Sequence, residues 1–351
     1  MKTHNGIYEE IVNLNYLYES LTRAQTNNRW DIDLLEMKEG YIEDIIENLY
    51  SDLKNMTYQP DSYRKYTVFN GIKMRTIDEP SYRDRILHRA IVDKVYKLFE
   101  NKFIGTSYAV TKRKGQHRAK NKVLEYIKTV HRLFGENIYV WQADVYHYYE
   151  SINHEILFNE IKRTIRDKKL LIIWKKIIDG YHNEKNEYTG IPIGAVISQL
   201  SANIYLNVLD HYVKEVLHCK FYVRYMDDFV IINQDKEWLK DIQIKVSTFL
   251  KERLKLSLNN RSKLFHAKQG IDFCGYRIFC NRVLPRKKNV KAAKKRLIKF
   301  KKLYLSGKAT VEELDSRLQS FYGMMKHATA KRSYYSVASI LSDIDRVKDR
   351  I

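Results

Sequence analysis

At 351 residues the chain can bury a sizeable core in two or three domains, and its formal net charge of +21 points to a polyanionic partner, either nucleic acid or an anionic membrane surface. Four prolines and thirteen glycines argue against long flexible linkers. The lack of a signal peptide or an apolar run of spanning length excludes a membrane-embedded reading and leads us to expect a soluble, intracellular protein. Aromatic residues make up 13%, dominated by 27 tyrosines, which suit base and ribose contacts as well as core packing. The three cysteines, Cys219, Cys274 and Cys280, are odd in number and lack C-x-x-C spacing, so reduced thiols are expected.

In chain order, Ile7, Ile11, Leu14, Tyr18 and Leu21 recur at three- and four-residue intervals and predict one amphipathic helix over 7–26. A second helix carries Ile42, Ile45, Ile46 and Leu49 before Gln59-Pro60 breaks it. Residues 64–80 then read as a hairpin, with Tyr66–Phe69 and Ile72–Ile77 as strands around an Asn70-Gly71 type I′ turn. Lys73 and Arg75 are two apart and share a strand face. Such a pair can grip a triphosphate, Arg as a fork and Lys as a point charge, or it can simply face water.

A helix follows from Ser81 to about Phe99, and a basic, glycine-punctuated loop over 111–119 leads into a helix ending near Phe134. That loop is a candidate phosphate contact at a helix N-terminus, or a solvated loop. Asn137–Ala143 predicts a strand ending at Asp144, followed by Val145–Tyr149 and a helix opening at Glu150–His154. Alone, Asp144 is a turn residue. With an Asp pair on a neighbouring hairpin it becomes the third carboxylate of a two-metal site. In Tyr188–Gln199, Gly190, Pro192 and Gly194 form a tight loop that a backbone or base pair can approach closely, and the next helix turns Leu206, Leu209, Val213 and Val216 inward.

The most informative stretch is Phe221–Ile232, two apolar runs flanking a turn that carries Asp227 and Asp228. It predicts an antiparallel hairpin. Adjacent carboxylates at its tip repel and lose hydration, costs that a hard divalent cation such as Mg²⁺ would offset. A water-exposed acidic turn is the alternative. Trp238–Leu254 follows as an amphipathic helix, and Ile271–Phe279 with Asn281–Leu284 makes a further hairpin. From Arg282 to Lys308 there is no acidic residue. Lys294, Lys295 and Lys299 lie there among Leu297, Phe300 and Leu303, giving a basic helix that either faces solvent or tracks a nucleic-acid backbone. Helices over about 310–327 and 331–348 complete the prediction.

With Asp144, the 188–217 loop and helix, and Tyr225-Met-Asp-Asp228 in this order, the chain resembles reverse transcriptases over roughly residues 64–330. The resemblance implies an α+β right-hand polymerase fold with fingers, a palm of antiparallel sheet plus helices, and a helical thumb. It places an N-terminal helical extension at 1–60 and fingers at 61–187, with the first palm strand at about 137–155. The palm continues over 188–280 and the thumb over 281–351. It implies that Asp144, Asp227 and Asp228 bind two Mg²⁺ ions, with Mn²⁺ a possible substitute. Lys263 falls at a proposed general acid, and Tyr149 at the steric gate against a ribose 2′-OH. Lys73 and Arg75 match residues that hold the incoming dNTP. Phe273-Cys-Gly275-Tyr276 resembles the primer grip, and Lys294, Lys295 and Lys299 would touch the primer-template.

Departures refine the resemblance. Where group II intron enzymes carry Pro-Gln-Gly and then Ser-Pro, this chain has Ile193 in place of the glutamine and Gln199 in place of the proline. That combination, with Lys73-Met-Arg75, Ser107-Tyr-Ala109, Lys114-Gly115 and Arg118-Ala119, is similar to reverse transcriptases of diversity-generating retroelements. The usual Asn-Leu-Thr of that loop is Ala195-Val196-Ile197 here. This implies error-prone copying, especially at adenines, of a template-repeat RNA for mutagenic retrohoming. The expected partners are the retroelement RNA, a DNA or RNA primer-template and a small, basic, oligomeric accessory protein, in a bacterial or phage-encoded cytoplasmic setting without a membrane. A group II-like or phage-defence reverse transcriptase, or a non-catalytic RNA-binding protein, are the alternatives.

Overall fold

A computed structural model describes residues 4–25, 40–70, 73–181 and 186–341. In chain order the first elements are α1 (Ile7–Ile11), α2 (Leu14–Gln25), α3 (Tyr41–Lys54), β1 (Arg64–Asn70), β2 (Lys73–Glu79) and α4 (Tyr82–Glu100). Then come α5 (Gln116–Phe134), β3 (Tyr139–Asp144), the single turn α6 (Tyr148–Ser151), α7 (His154–Lys162), α8 (Lys168–Asp179) and α9 (Val196–His211). The hairpin β4 (Tyr222–Tyr225) and β5 (Asp228–Asn233) precedes α10 (Lys236–Arg253) and β6 (Lys263–His266). The last elements are β7 (Ile271–Phe273), β8 (Tyr276–Ile278), β9 (Val283–Pro285), α11 (Lys287–Leu305), α12 (Val311–Met325) and α13 (Lys331–Ala338).

These elements form two compact units that interleave along the chain. The first takes residues 1–111, 144–218 and 244–260; the second takes 112–143, 219–243 and 261–351.

The first unit is helical, with β1 and β2 as an antiparallel two-stranded hairpin. The single helix expected over 7–26 is broken at Val12-Asn13, because the Asn13 side chain accepts the Tyr16 N–H at 3.1 Å and restarts the helix. The restart moves the buried stripe to Leu17 and Leu21, leaving Leu14 and Tyr18 exposed. The expected Asn70-Gly71 turn falls on Gly71, outside the described residues, although Asn70 does pair with Lys73. Helix α4 is capped by Ser81, whose hydroxyl accepts the Asp84 N–H at 3.2 Å. Its buried face includes Ile86, Leu87, Ala90, Ile91 and, among the apolar groups, His88. Helix α9 is buried nearly all round, and Leu206, Leu209 and Val213 face inward as expected. Val216 does not: a π-turn at Tyr212–Val216 inserts a residue into the helical register and leaves its side chain 62% exposed.

The second unit is built on a four-stranded sheet in the order β4-β5-β3-β6. Helix α5 packs on β4 and β5, with Tyr126 edge-on to Phe221 at 5.2 Å. A three-stranded sheet, β7-β8-β9, follows. Helices α11, α12 and α13 enclose their own core around Leu297, Leu318, Phe321 and Val337. Thr329 ties this helical layer to β9: its hydroxyl donates to the Val283 carbonyl at 3.0 Å and accepts the Val283 N–H at 3.0 Å.

Candidate active site

The central hairpin forms as its sequence predicts. Tyr222, Val223, Phe229, Val230 and Ile231 are buried, and the pairing of Tyr225 with Asp228 leaves Met226 and Asp227 as a two-residue turn. Met226 adopts a left-handed backbone (φ 57°), which costs a non-glycine residue about 1–2 kcal/mol. The fully buried Arg224 helps hold that conformation, donating from Nη1 to the Met226 carbonyl at 2.9 Å. Asp227 and Asp228 are therefore half-buried on a rigid, internally braced tip.

Asp228 opens β5, the sheet neighbour of β3. The Gln142 side chain on β3 reaches it, donating from Nε2 to Asp228 Oδ1 at 3.2 Å and to the Asp272 carbonyl at 2.8 Å. Gln142 precedes Asp144 by two residues on the same strand, so the two share a face. Across β3, Gln142 pairs with Lys263, the exposed first residue of β6, whose ammonium lies 4.9 Å from the Phe265 ring centroid. The Cys274 thiol is pushed above its usual range first by burial and then by the negative charge of Asp228, with Arg286 opposing both.

Within the first unit, Asp144 is held by Asn259, whose backbone N–H donates to the Asp144 carbonyl at 2.7 Å and whose Nδ2 lies 3.4 Å from Oδ2. Among the described residues, no group of three His, Cys, Asp or Glu side chains stands close enough to hold a metal ion. Two of the three carboxylates expected to bind metal are hydrogen-bonded to neutral amides, Asp144 to Asn259 and Asp228 to Gln142. The donor set remains all carboxylate oxygen, which suits a hard divalent cation.

The candidate nucleotide residues gather in the first unit. Tyr149 lies half-buried on α6, and its carbonyl accepts the Ile191 N–H at 2.9 Å, which joins it to the loop carrying Ile193. The Ile193 carbonyl in turn accepts the Asp78 N–H of β2 at 2.9 Å. Gly194 is required at the next position, for it has φ 134° and a Cβ there would lie 3.0 Å from Ile77 Cγ2 and 3.2 Å from the Asp78 carbonyl oxygen. Asp78 is buried, and its Oδ2 accepts the Tyr181 hydroxyl at 2.8 Å. Arg75 is exposed on β2, three residues before this anchor. Lys73 also belongs to β2, but its side chain lies outside the described residues.

The Phe273–Tyr276 hairpin differs from expectation in what it exposes. Cys274 (φ 48°) and Gly275 (φ 84°) form a two-residue turn with both backbones left-handed, as a type I′ connection demands. Phe273 and Tyr276, expected to touch a primer, are buried. The Tyr276 hydroxyl donates to the Met324 carbonyl at 3.0 Å, and Lys120 sits 5.2 Å from its ring. Packing therefore takes both side chains, and the half-buried turn at Cys274-Gly275 is what the hairpin presents. Lys295 and Lys299 are exposed on α11. Lys294 is half-buried and donates to the Ser336 hydroxyl, because its position on the helix turns it toward α13.

Sequence reasoning missed Gln142 and Asn259. The i, i+2 spacing of Gln142 and Asp144 was the available signal for the first. Nothing local marks Asn259, which reaches Asp144 only through the fold.

A family model described as reverse transcriptase (RNA-dependent DNA polymerase) matches residues 67–278. The group II intron-encoded protein LtrA of Lactococcus lactis subsp. cremoris is 25% identical over 331 residues, covering 74% of this chain and 54% of that protein. Protein YkfC of Escherichia coli (strain K12) is 27% identical over 275 residues, covering 68% of this chain and 72% of YkfC. The chain thus spans about half the length of LtrA. A structure of telomerase from Candida tropicalis, in complex with a TWJ fragment of telomeric RNA, shares the fold with a TM-score of 0.50 at 13% identity, covering 87% of this chain and 58% of that one. The expected α+β polymerase fold is therefore the observed one. With the family match extending from the β1–β2 hairpin through the Tyr225–Asp228 turn to β8, this chain belongs to the reverse transcriptase family of RNA-dependent DNA polymerases.

Proposed function

We propose that the chain is the error-prone reverse transcriptase of a diversity-generating retroelement, copying a template-repeat RNA into cDNA from dNTPs. The observation that carries the polymerase chemistry is the braced Tyr225–Asp228 tip, joined through Gln142 to the strand that ends in Asp144. Mg²⁺ ions, or Mn²⁺ in their place, would be held by Asp144, Asp227 and Asp228. Bound there, they supply acidification of the primer 3′-OH and neutralisation of the leaving pyrophosphate. The protein's own part is positioning. Tyr149 borders the sugar, Arg75 and Lys73 meet the triphosphate, and Lys263 delivers a proton to the leaving group. A cytoplasmic setting and a small basic accessory protein complete this reading.

The alternative is a group II-like enzyme, favoured by the similarity to LtrA. Ile193 decides between them. A glutamine here can hydrogen-bond the nascent pair, whereas isoleucine offers dispersion alone and is stiff at its first torsion. A hydrogen bond of about 0.5–1.5 kcal/mol felt only by the correct pair is worth roughly twofold to tenfold in discrimination. Ile193→Gln should lower misincorporation opposite template adenine by that factor and leave synthesis intact. Sequencing cDNA from both enzymes on one adenine-rich RNA tests it. Equal adenine error frequencies at comparable extension rates would remove Ile193 from fidelity and, with it, the support for the retroelement assignment.

Template–primer binding should also be strongly salt-dependent. Each phosphate contact contributes about 0.7–0.9 to the log–log salt slope, so Lys295→Gln with Lys299→Gln should flatten it by roughly 1.4–1.8. Lys294→Gln should change it least, since that ammonium is already committed to Ser336. An unchanged slope in the double variant would show that α11 does not touch the duplex.

A further inference from the structure

The second unit contains a cavity that the polymerase chemistry does not use. It has a volume of about 710 Å³ and lies where α12 ends and α13 begins. That volume is within the roughly 300–1,000 Å³ typical of small-molecule sites. Its walls include Tyr322, Met325 and Tyr335, and Lys326, Ala330 and Lys331 also line it. Tyr322 is buried in the helical core and Tyr335 is 64% exposed, so one aromatic is fixed and the other faces solvent.

Two further features favour an anion at one end of this cavity. Helix α13 starts at Lys331 with Ala330 as its N-cap, a residue that has no side-chain acceptor and so makes no side-chain capping bond. Among the described residues no carboxylate lies in its first turn, so the N–H groups and the positive end of the helix dipole there favour an anion. Lys326 and Lys331, both exposed, add two mobile positive charges. Thr329, which also lines the cavity, is committed to Val283. Its double tie also fixes the loop between the two helices, so the arrangement is pre-formed.

An aromatic-walled cavity beside an uncapped helix N-terminus and two lysines matches a flat apolar ring carrying a phosphate. We propose that this cavity binds one unpaired nucleotide of a single-stranded RNA. Its base packs against Tyr322 and Tyr335, and its phosphate sits at the α13 N-terminus between Lys326 and Lys331. The choice of RNA over other phosphorylated ligands rests on the reverse transcriptase reading. The site would hold a nucleotide that is not base-paired to the growing cDNA.

The test uses the full chain and fluorescein-labelled pentauridylate, compared by anisotropy with an abasic ribose–phosphate chain of the same length. Stacking of one base predicts that wild type binds pentauridylate roughly 5- to 150-fold more tightly than the abasic chain. Tyr335→Ala should erase that preference and Tyr335→Phe should keep it, the hydroxyl being unnecessary for stacking. Lys326→Gln with Lys331→Gln should retain the preference but reduce the salt slope by about 1.4. Because these residues are exposed, the variants should melt like wild type. Equal binding of the two probes by wild type, or an unchanged preference in Tyr335→Ala, overturns the proposal. So does a variant that loses a protein partner while binding RNA normally. Primer extension on a hairpin template, run on the same preparations, separates this from the polymerase reading. Failure to extend with the base preference intact overturns the polymerase reading and leaves the nucleotide site supported.

Discussion

Replacing Asp227 with asparagine should abolish primer extension, with a loss at least on the order of a hundredfold, while template–primer affinity stays close to that of wild type. The turn has supports of its own: Arg224 braces it through the Met226 carbonyl, and the strand pairing is backbone to backbone. On the proposed reading, nucleic-acid affinity comes instead from cations such as Lys295 and Lys299, which are exposed and which the substitution leaves untouched. Asparagine keeps the shape and removes the charge. Extension by the variant at a rate within tenfold of wild type, with the protein folded, would remove Asp227 from the chemistry. Loss of RNA binding together with activity would instead assign it a role in holding the template.

The second large effect concerns stability in acid. His88 is buried in α4 with neither ring nitrogen hydrogen-bonded, and burial lowers its pKa from 6.5 to about 3. The unfolded chain therefore binds a proton below pH 6.5 that the folded one refuses, so stability is lost as pH falls. Between pH 6.5 and pH 4 the loss is about 3 kcal/mol. Asp84, on the same helix, acts in the opposite sense. Burial raises its pKa from 3.8 to about 6, outweighing the hydrogen bonds it accepts from the Tyr58 hydroxyl and the Asp61 N–H. Its folded form keeps a proton that the unfolded chain has released, so its contribution is present below pH 3.8 and fades as pH rises through 6, again by about 3 kcal/mol. The two nearly cancel from pH 4 to pH 6. His88→Phe should unmask Asp84 and make the protein more stable as pH drops toward 4. Asp84→Asn should unmask His88 and steepen the acid loss. Denaturant unfolding at several pH values checks both, and profiles parallel to wild type would show that neither group titrates as its burial requires.

Much of the candidate site's local structure was legible because the residues that suggest chemistry sit in strongly patterned segments. The alternation of apolar groups around Tyr225–Asp228 dictates the hairpin, and the hairpin dictates where the carboxylates stand. Period-two spacing likewise placed Arg75 on a strand face. What the sequence concealed is non-local or set by small backbone energies. Asn13 looks like one more polar residue in a helix until its side chain is seen to restart the helix. The exposure of Val216 depends on a one-residue register insertion that no periodicity reveals. Phe273 and Tyr276 belong to a motif suggestive of contact, but both are buried, Tyr276 between α5 and α12. Gln142 and Asn259 are ordinary amides until the fold delivers a carboxylate to each.

The interleaving of the two units carries a consequence for how this protein is made. The first unit needs residues 244–260, which cover α9 and its surroundings: the Tyr205 hydroxyl donates to the Leu254 carbonyl at 2.6 Å, and Phe249 stacks on Tyr212 at 3.9 Å. The apolar surface of α9 therefore leaves the ribosome well before its cover exists. At about 5–20 residues per second, the segment that covers α9 is made only roughly two to ten seconds after α9 itself. The second unit must wait longer still for its helical layer. Until that covering segment is made, part of the apolar surface of α9 lacks its cover, so slowed translation should lengthen the chain's dependence on chaperones. A version truncated after Gln243 should aggregate, because it lacks the segment that completes the first unit.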